Sequence, residues 1–316
     1  MKFLKGSWNL IKIVLTILVV LFFVFYFVNN RSDFTAVFST PLHIVLALFA
    51  LYSLHFFLNG LFILNILKSF GHQIKILESF YISTISSFGN NFIPMQGGAV
   101  IRSVYLKKTL NFPYAHFVSS LYGNYIIIFG VNAFFALITL ILIHRSMASV
   151  PLLLFLFFGL LLIAMLVLAL VRIRIDTEKD SSFPLMNKAR QILGRILEGW
   201  ARISGDKGLL LSLVLITVIN LGVMAALFGL QFSALGFSGN PLAVLLYTCL
   251  SGVSLLVSLT PGALGVREGI FFLTSDVLGL TEGGIMQLAL LDRGVTMLTL
   301  FFWFILLSGW KYFTKD

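Results

Sequence analysis

Charge is scarce in this sequence. Only 11% of its 316 residues are Asp, Glu, Lys or Arg, against about 25% in soluble domains. Acidic residues are the scarcest, 12 against 22 basic ones. A water-soluble fold leaves roughly half its residues facing solvent. With 59% hydrophobic residues and a mean hydropathy of +1.02, this chain has too few polar residues to cover such a surface. A soluble enzyme, a nucleic-acid module and a disordered protein are excluded, and an integral, polytopic, all-α membrane protein is expected. There is one cysteine, Cys249, in an apolar run, so an intramolecular disulfide and a multi-cysteine metal site are excluded too. Histidine is also sparse. His43, His55, His72, His116 and His144 show no metal-ligand spacing. No G-x-x-x-x-G-K-[ST] loop is present, so ATP hydrolysis is not expected. No Ser/His/Asp order can be inferred. No catalytic residue, metal or cofactor is therefore assigned.

The net charge of +10 does not imply a nucleic-acid partner, because basic residues of membrane proteins collect in cytoplasmic loops. Runs of about 20 apolar residues occur at 10–28, 42–66, 116–143, 150–171, 209–234, 241–260 and 285–310. The first ends in Asn29-Asn30-Arg31 and lacks a small-residue cleavage site, so it reads as an uncleaved helix. Lys2, Lys5, Lys68, Lys75, Arg102, Lys107, Lys108, Lys311 and Lys315 lie between or beyond these runs, Lys12 lies at the start of the first, and the 172–208 loop adds eight more basic residues. If these are cytoplasmic, the chain is a multi-pass protein of the cytoplasmic (inner) membrane with both termini on the cytoplasmic side. Trp8, Trp310 and Tyr312 fit interfacial anchors.

Two apolar stretches are broken. One, 76–106, is rich in Ser, Asn and Gly and has Pro94 near its middle; the other, 261–280, opens with Pro261-Gly262. The loop charges require 76–106 to begin and end inside and 241–280 to begin and end outside. Each is then a re-entrant hairpin, and the two enter from opposite sides; the alternative is a full span at 241–260. The turns are alike: Pro94-Met95-Gln96-Gly97-Gly98 with Arg102, and Pro261-Gly262-Ala263-Leu264-Gly265 with Arg267. An inverted repeat of broken helices is a transporter architecture. The expected count is about seven or eight spans in one transmembrane domain, 1–316. Its halves are 1–171 and 209–316, joined by an amphipathic linker at 172–208. In that linker Leu185, Ala189, Ile192, Leu193, Ile196, Leu197 and Trp200 fall at helical spacing. The helix either lies on the membrane surface or packs on the bundle.

The candidate substrate-binding residues sit at the breaks. Asn90, Asn91 and Pro94 interrupt the first helix, and Gly97 and Gly98 admit a ligand or another chain close to the backbone. A helix starting near Gly98 aims free N–H groups at the break, a phosphate seat, and Arg102 adds a bidentate contact. The alternative is close helix packing by Gly97 and Gly98. In the second break Pro261, Gly262 and Gly265 precede Arg267 and Glu268. Intramembrane charges are costly and are functional candidates by default. Arg267 suits a lipid phosphate. Glu268 suits a cationic headgroup, a proton or an arginine of the other half; a structural ion pair is the alternative. Asp292 and Arg293 are neighbours about 100° apart on a helix, so one is expected toward the cavity and the other toward a protein partner. Asp276 and Glu282 are expected to be solvated.

At these motifs the chain resembles the lysylphosphatidylglycerol synthase transmembrane-region family, flippase-like membrane proteins. The resemblance rests on Asn91-Phe92-Ile93-Pro94 through Gly97-Gly98 and Arg102, on Thr260-Pro261-Gly262-Ala263-Leu264-Gly265-Val266-Arg267-Glu268, and on Arg293. It implies a helical fold with re-entrant segments that translocates a phospholipid or lipid-linked headgroup. In the multiple peptide resistance factors a similar domain moves aminoacylated phosphatidylglycerol, made by a separate cytosolic domain. No such synthase domain is expected here, since only a short tail follows the last run. The family often carries a Glu-Arg pair where this chain reads Tyr122-Gly123-Asn124-Tyr125, so a cationic headgroup does not carry over directly. The expected substrate is an anionic phospholipid, aminoacylated phosphatidylglycerol or a polyprenyl-phosphate-linked sugar. A membrane-embedded enzyme acting on lipid headgroups, or a partner subunit of a glycosyltransferase, aminoacyltransferase or synthase, is the alternative.

Overall fold

A computed structural model describes residues 35, 37–94, 96–146, 150–170, 184–257 and 260–313; in the helix that begins at Pro184, side chains are described from Leu193 onward. The expected span at 10–28, Trp8 and the first part of the basic loop lie outside these residues. Among the described residues there are eleven α-helices and no strand. In chain order they are α1 (Leu42–Ser69), α2 (Ile76–Phe92), α3 (Gly97–Leu110), α4 (Tyr114–Ser146), α5 (Leu152–Leu170), α6 (Pro184–Gly205), α7 (Lys207–Ala234), α8 (Pro241–Val253), α9 (Val266–Leu273), α10 (Ser275–Leu278) and α11 (Glu282–Phe313). Tight 3₁₀ turns at Ser254–Val257 and Pro261–Ala263 join α8 to α9.

Five of these helices, α1, α4, α5, α7 and α11, are long and apolar enough to cross a membrane. The shortest, α5, has 19 residues and so extends about 28 Å, close to the thickness of a bilayer core. Phe158 is its one buried residue. Leu152, Leu153, Leu160 and Leu170 stand out from the bundle. Such a leucine face is stable only against lipid. The chain is a polytopic helical membrane protein.

The helix in the stretch 241–260 is shorter than the five long ones. This helix, α8, has 13 residues and passes into the 3₁₀ turn at Ser254–Val257. Pro261 has no N–H to extend a helix, and Gly262 (φ 58°), Ala263 (φ 52°) and Gly265 (φ 80°) all lie in the left-handed region, which stops helical propagation.

Both broken stretches fold back on themselves. In the first, α2 and α3 lie in backbone contact: a Cβ on Gly98 would stand 1.7 Å from the Ser86 carbonyl oxygen. At the far end Tyr105 on α3 donates to Glu78 on α2 at 2.8 Å. The turn holds Gln96 at φ 55°, a conformation that disfavours a non-glycine residue. In the second, α8 and α9 are joined by Tyr247 and Phe271, whose rings stack at 3.8 Å within the buried core. The described part of α6 packs on the bundle rather than standing apart. Trp200 and Ile203 are buried, a Cβ on Gly199 would meet the Ser119 side chain at 2.3 Å, and one on Gly123 would meet the Trp200 ring at 2.9 Å.

Candidate functional site

Tertiary folding brings the two breaks together. A Cβ on Gly262 would lie 3.1 Å from Asn91 Oδ1 and 3.0 Å from Arg293 Nη1; only glycine allows that approach at that φ. Gln96 bridges the same junction. Its Nε2 donates to the Leu255 carbonyl at 3.1 Å, and its Oε1 accepts from the Tyr125 hydroxyl of α4. The strained turn residue is thus a latch between the first break, the second break and a spanning helix.

Behind this junction lies a cavity of about 360 Å³. Of the expected site residues, Asn90, Asn91, Arg102, Gly262, Arg267, Asp292 and Arg293 line it. Pro94, Gly97, Gly98, Pro261 and Gly265 do not; they shape the backbone around it. Glu268 sits behind the wall, 2% exposed, bonded to the arginine that lines it.

The charges form a crossed cluster between α9 and α11. Arg267 Nη2 donates to Asp292 Oδ2 at 2.6 Å, and Arg293 Nη2 donates to Glu268 Oε1 at 2.7 Å. Arg293 Nη1 also donates to the Gly262 carbonyl at 3.3 Å. Asp292 accepts from the Tyr52 hydroxyl of α1, and Gln231 Nε2 of α7 lies 3.5 Å from the same carboxylate oxygen. The expectation that Asp292 and Arg293 diverge is corrected. Both reach one cluster, because their partners on α9 are themselves neighbours, offset by the same helical turn. Glu268 takes its arginine from the same half of the chain, not from the other half.

The expected phosphate seats at helix N-termini are also corrected. The Gly98 N–H donates to Asn90 Oδ1 at 2.9 Å, and the Gly265 N–H donates to Glu268 Oε2 at 2.8 Å. One N–H at each of these ends is already taken by a side chain, one of them charged, so these two groups are not free donors for an incoming anion. Gly97-Gly98 serves close helix packing. Asp276 and Glu282 are exposed, as expected.

Arg102 differs from the other two arginines. Among the described residues no carboxylate lies within ion-pair distance of it; its buried Nε, like those of Arg267 and Arg293, has no hydrogen-bond partner. Its guanidinium lies 5.3 Å from the centroid of the Phe117 ring.

Sequence reasoning missed the neutral polar lining. Tyr52, Asn59, Asn124, Tyr125, Asn132 and Asn220 all face the cavity. Asn220 Nδ2 donates to Asn59 Oδ1 at 3.3 Å, Asn59 Nδ2 lies 3.1 Å from His55 Nε2, and His55 Nδ1 lies 2.9 Å from Asn220 Oδ1. An amide nitrogen only donates, so His55 Nε2 accepts, and the ring closes with a neutral imidazole. Single amides inside apolar spans were the available signal, since an unpaired polar group is costly in a membrane. Among the described residues no group of His, Cys, Asp and Glu is arranged to hold a metal.

These features define the class: a multi-helix membrane protein whose two broken helices meet over a polar, arginine-bearing cavity. Residues 9–309 match the lysylphosphatidylglycerol synthase TM region family, and the chain belongs to that family. Comparison with curated proteins and with solved structures found no match.

Proposed function

We propose that the protein is a lipid translocase that moves a phospholipid or a lipid-linked headgroup across the cytoplasmic membrane. The carrying observation is a cavity of about 360 Å³, polar and arginine-bearing, inside a bundle whose outer surface is leucine and phenylalanine. Irregular backbone at membrane depth is tolerated where it lines such a cavity. In this reading 76–106 and 241–280 are re-entrant hairpins entering from opposite sides, related as an inverted repeat, and both termini are cytoplasmic. The headgroup occupies the cavity. The acyl chains stay in the bilayer beside Phe92, Ile93, Val100, Leu255 and Leu256, exposed apolar side chains that flank the Gln96 latch. Arg102 contacts the phosphate. The crossed ion pairs hold α9 against α11 and set the cavity wall. Transport needs no catalytic residue and no bound cofactor; it runs passively or on an ion gradient.

The test is flipping of fluorescent phosphatidylglycerol in proteoliposomes, quenched from outside, for wild type, Arg102→Gln and Arg267→Ala. Protein-dependent flipping lost in Arg102→Gln, with the variant's melting temperature unchanged, supports the reading. Flipping that survives both substitutions keeps a translocase but removes this site. No flipping of any phospholipid by folded protein overturns the reading.

A further inference from the structure

Charge balance inside the cavity narrows the headgroup. Three arginines, Arg102, Arg267 and Arg293, meet two carboxylates, Glu268 and Asp292. The nearest partner of each carboxylate is an arginine, at 2.7 and 2.6 Å, and Arg267 Nε also lies 3.9 Å from Glu268 Oε1. The Tyr52 hydroxyl donates to the second oxygen of Asp292, and the Gly265 N–H donates to the second oxygen of Glu268. Among the described residues of the cluster, each negative charge already faces a guanidinium. Among the described residues, one positive charge, on Arg102, has no carboxylate within ion-pair distance. His55 adds nothing, because its amide partners fix the neutral imidazole.

The rest of the lining is neutral and amide-rich. The Asn132 Oδ1 is buried without a partner, and its side chain lines the cavity. Asn124 stands at the same wall, and it also borders a small side pocket that Arg102 shares. Amides donate and accept in one plane and so match vicinal hydroxyl groups. A buried acceptor left unpaired is costly; a ligand hydroxyl satisfies it.

We propose that this site selects a lipid whose headgroup carries one phosphodiester negative charge and an uncharged, hydroxyl-bearing moiety, and that it rejects aminoacylated, cationic headgroups. The phosphodiester neutralises Arg102. The hydroxyls engage Asn124 and Asn132. An aminoacyl headgroup brings ammonium groups to a cavity whose carboxylates are already bound, next to an uncompensated guanidinium, and like charges in a low-dielectric site repel strongly. This inference deepens the translocase reading and rests on it for the identity of the ligand as a lipid.

The test separates binding from transport. Purified protein in phosphatidylcholine nanodiscs receives one test lipid at a time: phosphatidylglycerol, phosphatidylinositol, phosphatidylethanol (the same charge without headgroup hydroxyls) or lysyl-phosphatidylglycerol. Bound lipid is counted by native mass spectrometry, and flipping is measured in parallel proteoliposomes. Expected is binding of phosphatidylglycerol and phosphatidylinositol about tenfold tighter than phosphatidylethanol, with lysyl-phosphatidylglycerol weakest. Arg102→Gln erases the preference for the anion and Arg102→Lys retains part of it. Asn132→Leu erases the preference over phosphatidylethanol while the preference over the cationic lipid stays. Equal or tighter binding of lysyl-phosphatidylglycerol overturns the inference, whether or not lipids flip. The expected binding order without any flipping supports the headgroup assignment and overturns the translocase reading.

Discussion

Arg267 and Asp292 lie 25 positions apart and meet at 2.6 Å, one at the start of α9 and the other in the middle of α11. Each is followed by a residue of opposite charge, and those neighbours, Glu268 and Arg293, meet at 2.7 Å. Two adjacent pairs, reversed in sign, thereby pin a short helix to a long one. The pairs are nearly buried, with the carboxylates 2% and 5% exposed. Their role in stability follows from desolvation: an ion held out of water is tolerated only with its partner in place.

Removing one member of a pair should therefore cost far more than removing both. Asp292→Asn or Arg267→Gln alone is expected to lower stability by about 3–5 kcal/mol. The double variant Arg267→Met/Asp292→Leu should recover most of that loss. Thermal unfolding in detergent reads it; additive losses in the double variant would show that the two residues act independently.

Gly98→Ala should be among the most damaging small substitutions in the chain. The added methyl lies 1.7 Å from the Ser86 carbonyl oxygen and 2.6 Å from Asn90 Oδ1, and a backbone atom cannot rotate away. Loss of folded protein is expected in size-exclusion profiles. Gly159→Ala, with nothing within 4 Å and a helical backbone, should be neutral or stabilising by up to about 1 kcal/mol. Equal behaviour of the two variants would refute the contact between α2 and α3.

At Gln96 two effects oppose each other. Its backbone sits at φ 55°, where glycine costs nothing, while its side chain spans Leu255 and Tyr125. Gln96→Leu loses the bonds and keeps the strain, whereas Gln96→Gly loses the bonds and relieves it. The glycine variant should melt higher by an amount worth about 1 kcal/mol, and both should transport poorly in the flipping assay.

Cys249 reports on the core. It is 0% exposed within α8, and no other cysteine is present. Folded protein in detergent should resist a maleimide, and denatured protein should take up one equivalent. Rapid labelling of folded protein would contradict the packing of α8.

How much was legible before folding is seen in particular residues. The scarcity of charge determined that the chain lies in a membrane. The apolar runs at 42–66, 116–143, 150–171, 209–234 and 285–310 correspond to the five long helices, because the length of a span is set by bilayer thickness and not by its neighbours. Pro94, Gly262 and the intramembrane arginines marked the breaks for the same local reason: they violate helix geometry or solvation wherever they occur.

Pairing was beyond that reach. Nothing local tells Asp292 to seek Arg267, or tells Asn90 to cap Gly98 and close an expected anion seat; those choices depend on which helix crosses which. Tyr52, Asn59, Asn132 and Asn220 were passed over because one amide or phenol in an apolar span is equally compatible with several partners. Composition and periodicity alone determined the solvent, the spans and the break points. The tertiary structure decided which charges cancel, and so which cavity guanidinium, that of Arg102, has no carboxylate beside it among the described residues, because compensation is a property of distances across the bundle.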